Sequence, residues 1–180
     1  LFIILVVVAF FAVGLYNMLV KLRNNRENAF ADIDVQLKQR LDLIPQLVEA
    51  VKAYMKHEST VLTDITNARA MALQANGINE KIAADAGMTS ALQGLRVAVE
   101  AYPDLKASQN FIQLQEEISD IENKLAAARR FFNSATKELN NAVEVFPSNL
   151  LAGMFGFKRE TMYDLGTDRA KAEETPTLKF

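Results

Sequence analysis

The chain has 180 residues, half of them hydrophobic, and carries 20 basic against 22 acidic residues for a net charge of −2. That balance excludes nucleic acid as the main partner, because phosphate binding needs a basic excess or a concentrated basic stripe. The absence of cysteine excludes disulfides, iron–sulfur clusters and thiolate catalysis.

Residues 1–20, LFIILVVVAFFAVGLYNMLV, hold no charge, and Lys21, Arg23 and Arg26 follow at once. Wound as a helix, twenty apolar residues reach ~30 Å, the thickness of a bilayer core. Leu1, Phe2, Leu5, Val8, Phe11, Gly14 and Leu15 are assigned to this membrane or assembly helix. Tyr16, with Lys21, Arg23 and Arg26, is assigned to the headgroup boundary, where aromatic and basic side chains collect. The segment lacks the basic start, the shorter apolar run and the small-residue cleavage site of a secretory signal peptide. A start at Leu1, with no preceding Met or charge, raises the expectation of a processed apolar helix that packs against copies of itself. Gly14 offers one point of close helix approach.

From Asn24 to about Leu73 apolar residues recur at helical spacing: Phe30, Ile33, Leu37, Leu41, Ile44, Val48, Val51, Met55, Leu62 and Ile65. Pro45 removes a helical hydrogen bond and predicts a kink or a break, and the unbroken phase of the stripe favours the kink. Asp42 stands where it could cap a new helix. Asn76–Gly77 reads as a helix stop, residues 79–86 as a short helical stretch, and Gly87 to Ser90 as a loop. A shorter helix over about 89–102 follows, ended by Pro103.

The strongest pattern in the polar part comes next. Phe111, Leu114, Ile118, Ile121, Leu125, Ala128, Phe132, Ala135, Leu139, Ala142 and Phe146 alternate at spacings of three and four. Such a seam predicts a long coiled-coil-like helix over about 106–146, stopped by Pro147. The expected fold is therefore all-α: an apolar helix (1–20) continuing into an antiparallel bundle of three to four helices (21–147), whose long members cover about 24–75 and 106–146. The tail, 148–180, opens with LLAGMFGF, apolar enough to dock on the bundle or dip into an interface. Residues 166–175 have the composition of an exposed segment.

These segments together resemble the LemA family of membrane-anchored bacterial proteins. The matching stretches are LYNMLVKLRN at 15–24, AFADIDVQLKQRLDLIPQLVEAVKAYMKHE at 29–58, the run from EAYPDLKASQNF to LLAGMFGF at 100–157, and the terminal PTLKF. The resemblance implies one membrane helix and a helical-bundle soluble domain, with no established catalytic activity and so no catalytic positions to carry over. Family members usually show a short basic start before the apolar helix, which this sequence lacks.

Candidate chemistry is sparse. His57-Glu58 would begin a zinc-protease helix only with a second histidine at 61, which is Val. Asp32, Asp34, Arg40 and Asp42 cluster within three turns, and Glu100 and Asp104 flank Tyr102-Pro103. Solvated charges, such as Asp34 four residues before Lys38 on an exposed helix face, and inter-helix polar contacts explain both groups better than an acid–base or cation site. Asn17, Asn24 and Asn133 suit a register-fixing role between helices. A narrow seam of Leu, Ile, Phe and Ala leaves no obvious room for a catalytic pocket, so no cofactor, metal or catalytic residue is assigned.

The reading that follows is a non-enzymatic structural protein that self-assembles into a homo-oligomer or filament through its first helix, with the bundle as outer layer. The apolar start resembles pilus-like filament subunits in that single feature. The alternative is a membrane-anchored cytoplasmic adaptor that binds an unknown protein through the bundle surface. The expected partners are thus other copies, membrane lipid and, in the alternative, a second protein. The basic cluster places the bundle in the cytoplasm by the positive-inside rule, whereas a processed filament subunit would expose it outside the cell.

Overall fold

The computed structural model describes residues 2–55 and 58–164. Expectations that fall on Leu1, His57 and the tail at 166–180 lie outside these residues. The fold is all-α, with six helices and no strand among the described residues: α1 (Phe2–Lys52), α2 (Ser59–Gln74), α3 (Ile78–Val99), α4 (Pro103–Lys106), α5 (Gln109–Glu144) and α6 (Ser148–Met154). They form two compact units. One comprises Leu1–Ile33 with Ala126–Phe180, the other Asp34–Leu125. The apolar N-terminal segment and the helix that follows it are a single element of 51 residues.

Pro45 lies inside α1, and no break occurs there. A proline leaves the carbonyl four residues before it without its helical donor, which here is Leu41. Arg69 of α2 fills the gap: its Nε donates to the Leu41 carbonyl at 3.1 Å. The chain breaks later than Pro45, after Lys52, so the predicted long helix over 24–75 is in fact two. At that end the Val51 carbonyl accepts from both the Tyr54 and Met55 amides at 3.0 Å, and Met55 turns into the interior.

Asn76–Gly77 does separate two helices, but the loop expected at Gly87 to Ser90 is absent. Residues 78–99 form one continuous helix in place of a short stretch, a loop and a helix over 89–102. A Cβ at Gly87 or Gly94 would meet nothing within 4 Å, so neither glycine is required there by packing or backbone conformation. Their helical cost of about 1 kcal/mol each is overridden by burial of Met88, Leu92, Leu95 and Val99. Pro103 opens α4 as its first residue, and Leu105 is buried.

In the unit Asp34–Leu125 the core joins Leu41, Ile44, Leu47 and Val51 of α1 to Ile65, to Met88, Leu92, Leu95 and Val99, to Leu105, and to Phe111, Leu114 and Ile118. Asp34 pairs with Lys81 and Arg40 with Asp85, so α1 and α3 run parallel, with α2 returning between them. In the other unit Phe30 meets Phe132 edge-on at 5.6 Å, and Phe132 meets Tyr163 at 5.7 Å. Along α5, Phe111, Leu114, Ile118, Ile121, Leu125, Phe132 and Leu139 are all buried. Phe146 departs from the predicted seam: it lies beyond the end of α5 and is 74% exposed.

Candidate functional site

The first turns of α1 are exposed almost throughout. Phe2, Leu5, Val8 and Phe11 face outward, Gly14 lies open, Leu15 is half-buried, and Leu19 is the first residue of the helix to be buried. One window of this helix is long and apolar enough to cross a membrane. Lys21 and Arg23 are exposed just beyond it.

Arg26 behaves differently from its assignment to the headgroup boundary. It is only 4% exposed and lies 4.9 Å over the Phe132 ring. Its Nη2 donates to the Thr161 carbonyl at 3.3 Å and pairs with Glu160 at 3.2 Å. Burial lowers its pKa from the ordinary arginine value, opposed by the Glu160 and Glu27 carboxylates. An arginine so placed closes a protein contact and is not available to lipid.

The segment that Arg26 holds comes from the tail, after α6. Two asparagines of α5 also grip its backbone. Asn140 Nδ2 donates to the Glu160 carbonyl at 3.0 Å, while the Glu160 amide donates to Asn140 Oδ1 at 2.8 Å. Asn133 does the same at Tyr163, with bonds of 2.9 and 2.8 Å. A side-chain amide offers a donor and an acceptor side by side, the complement of a peptide's C=O and N–H. Asn133 thus fixes the tail and not, as expected, the register between two helices. Thr136, between the two clamps, spends its hydroxyl on the Phe132 carbonyl at 2.8 Å.

The same tail reaches the base of the apolar helix. Tyr16 meets Phe155 at 4.8 Å and Phe157 at 6.1 Å, and the Arg23 guanidinium sits 5.4 Å over the Phe157 ring. Tyr16 and Arg23, both assigned to the membrane boundary, are therefore brought together by LLAGMFGF. Of the tail residues in this arrangement, only the apolar run was visible beforehand. Asn140, Glu160 and Tyr163 carried no signal, because a backbone clamp leaves no mark on the sequence of the segment it grips.

In the unit Asp34–Leu125 a cleft of about 220 Å³ is lined by Leu37, Leu41 and Leu73 together with Arg40, Lys81 and Asp85. Arg40 is 1% exposed and is ion-paired with Asp85, which is buried too, and its Nη1 lies 3.4 Å from the Thr89 hydroxyl. Asp34 pairs with Lys81 across helices and not with Lys38. Asp32 and Asp42 are exposed, and Glu100 pairs with Lys106 at 2.7 Å while Asp104 faces solvent. Of the carboxylates at 32–42, Asp34 is thus engaged with Lys81 while Asp32 and Asp42 face solvent. Among the described residues no three His, Cys, Asp or Glu side chains converge as metal ligands would.

These features can be set beside known proteins. A family model described as "LemA family" matches residues 29–180. Protein LemA of Metamycoplasma hominis is 28% identical over 147 residues, which cover 79% of this chain and 66% of that protein. The magnetosome protein MamQ 2 of Paramagnetospirillum magneticum is 23% identical over 203 residues, covering 97% of this chain and 73% of the relative. MamQ of Magnetospirillum gryphiswaldense is 23% identical, with 80% of this chain and 62% of the relative covered. The chain therefore spans about two thirds of the length of these relatives. With the family model covering all of the chain from Ala29 onward, and a helical bundle behind a long apolar helix, the chain belongs to the LemA family.

Proposed function

We propose that this chain is a membrane-anchored structural protein without catalytic activity, whose apolar helix both holds it in a bilayer and brings copies of it together. The observation that carries this reading is the exposure of α1 from Phe2 to Val13, where Phe2, Ile3 and Phe10 are each more than 75% exposed. At ~25 cal/mol per Å² such a surface does not stay in water; it belongs in lipid or against its own kind. Lys21 and Arg23 then face the headgroups, at about 1 kcal/mol each on an anionic leaflet. Ala9, Ala12 and Gly14 let two such helices approach closely. The charges lining the cleft beside Leu37 and Leu41, Arg40 with Asp85 and Asp34 with Lys81, are engaged with one another, which supports a structural role for them over a catalytic one.

Deleting residues 1–20 tests both halves of the reading. The full chain is expected to float with lipid vesicles and to form large particles visible by electron microscopy. The truncated chain is expected to stay in the aqueous fraction, retain its helical circular dichroism, and elute as a small species. Polymerisation of the truncated chain would move the assembly determinant into the bundle. Failure of the full chain to float would remove the anchor.

The second reading, an adaptor that presents a bundle face to another protein, draws on one observation. Phe131 stands 62% exposed beside a shallow cavity lined by Asn25, Asn28, Asp32, Ser134 and Glu138. Under that reading the full chain floats but remains a small oligomer.

A further inference from the structure

We propose that α6 and the residue after it form a second membrane contact, seated at the boundary between headgroups and acyl chains beside the exit of the N-terminal helix. The inference rests on the anchoring proposed above. In a soluble protein a short surface helix turns its large apolar side chains inward. This one is inverted: Ser148 and Ala152, four residues apart, are buried, while Leu150 and Met154, also four apart, are 60% and 78% exposed. Phe155 continues the exposed apolar surface.

Position identifies what covers it. Phe155 lies against Tyr16, at 4.8 Å between ring centroids. Tyr16 is five residues before Lys21, a distance of about 7 Å along the helix axis. If Lys21 marks the headgroups, α6 sits at the depth of ~5–10 Å at which interfacial helices bury their apolar face. The chain then leaves the membrane in step with its polarity. Gly156 adopts a left-handed φ of 73°, which suits glycine, and Lys158 follows Phe157 as an exposed cation, next to Arg159, which is exposed and paired with Glu144. A lipid surface fits this order of side chains better than a second copy does, because the exposed face changes from apolar to basic at the same height as α1 does.

The chain has no tryptophan, so a single introduced indole reports its own surroundings. Met154→Trp, Leu150→Trp and Phe10→Trp are to be made in the full chain and reconstituted in vesicles of phosphatidylcholine and phosphatidylglycerol. Emission is then quenched with nitroxide lipids labelled near the glycerol or near the chain end, and with aqueous iodide. The expected result is that Met154→Trp and Leu150→Trp are blue-shifted and quenched several-fold more by the shallow nitroxide than by the deep one or by iodide. Phe10→Trp, in the anchor, is quenched by the deep label. If Phe10→Trp responds to lipid while the α6 indoles respond only to iodide, the seating of α6 is wrong and the anchor stands. If the α6 indoles are shielded from lipid and iodide alike, protein covers that face and the inference is overturned. If no position responds to lipid, the anchoring reading fails and this inference fails with it.

Discussion

Among the described residues between Asp34 and Leu125 the interior is an apolar cluster drawn from five helices, interrupted by one buried ion pair. In the unit built from Leu1–Ile33 and Ala126–Phe180, the buried set includes Arg26, Asn133, Thr136, Asn140 and Ser148 beside fewer large apolar side chains. The first is held by the hydrophobic effect, which is indifferent to partner and proportional to area. The second depends on directional hydrogen bonds to the backbone of a non-helical segment. A cluster of the first kind tolerates substitutions that keep volume. One of the second kind fails when a single donor or acceptor is left without its mate.

The largest expected effect breaks the exception within the apolar unit. Asp85→Ala leaves the Arg40 guanidinium buried without its carboxylate and should cost about 3–5 kcal/mol, measured by denaturant unfolding. Replacing both partners at once, Arg40→Met with Asp85→Leu, should recover most of that loss. A double variant as unstable as the single one would show that the pair contributes more than mutual compensation.

In the other unit, Asn133→Ala removes both bonds to the Tyr163 peptide in a buried setting and should cost about 1–3 kcal/mol. The readout that separates the two units is limited proteolysis. Cleavage at Lys158 or Arg159 should accelerate in Asn133→Ala, whereas Asp85→Ala should expose sites between Asp34 and Leu125 first.

A double-mutant cycle sharpens the apolar side of the contrast. Arg69→Met strands the Leu41 carbonyl that Pro45 cannot serve, at a cost of about 1–2 kcal/mol. In a Pro45→Ala background the new amide at 45 bonds that carbonyl itself, so the same Arg69→Met change should cost much less. Equal costs in the two backgrounds would remove the link between Pro45 and Arg69.

The smallest effect is a pH dependence at the start of α3. The Glu80 carboxylate accepts from the Asn76 amide at 3.0 Å and from the Gly77 amide at 3.5 Å, and these bonds hold its pKa below the ordinary glutamate value. The folded-state pKa is depressed, so this contribution is complete above the unfolded value of about 4.3 and is lost as pH falls through the folded one. Glu80→Gln should flatten that acid limb slightly, losing the same small increment of stability at neutral pH and nothing in acid.

The same contrast explains what the amino-acid order disclosed. Periodic apolar residues announced the helices that pack by area: α5 was visible in its three–four spacing, and the apolar start of α1 in its composition. Phe146 kept the spacing but fell past the helix end, because periodicity records phase and not termination. Gly87 read as a loop because local propensity points that way, and the cost is small against the core residues of α3. Pro45 read as a disruption because its remedy, Arg69, is 24 residues distant and belongs to another helix. Arg26 looked like its neighbours Lys21 and Arg23, since nothing in a run of cations tells which will meet Phe132 and Glu160. The tail clamp was least legible of all: peptide groups recognised by Asn133 and Asn140 are common to every sequence.

The two asparagine clamps also act as a ruler. Asn133 and Asn140 are seven helical residues apart, about 10.5 Å of rise. Glu160 and Tyr163 are three residues apart, about 10 Å when the chain is extended. The two scales coincide at this spacing, so both peptides can be gripped together only while the intervening chain stays stretched. A slip by one residue displaces it by about 3.3 Å, more than a hydrogen bond tolerates, and both grips open at once. Inserting one residue between Thr161 and Met162 should therefore release one end whatever its side chain. Since Phe155 and Phe157 are carried by the same strand of chain, the ruler on α5 also sets the height at which those rings meet Tyr16.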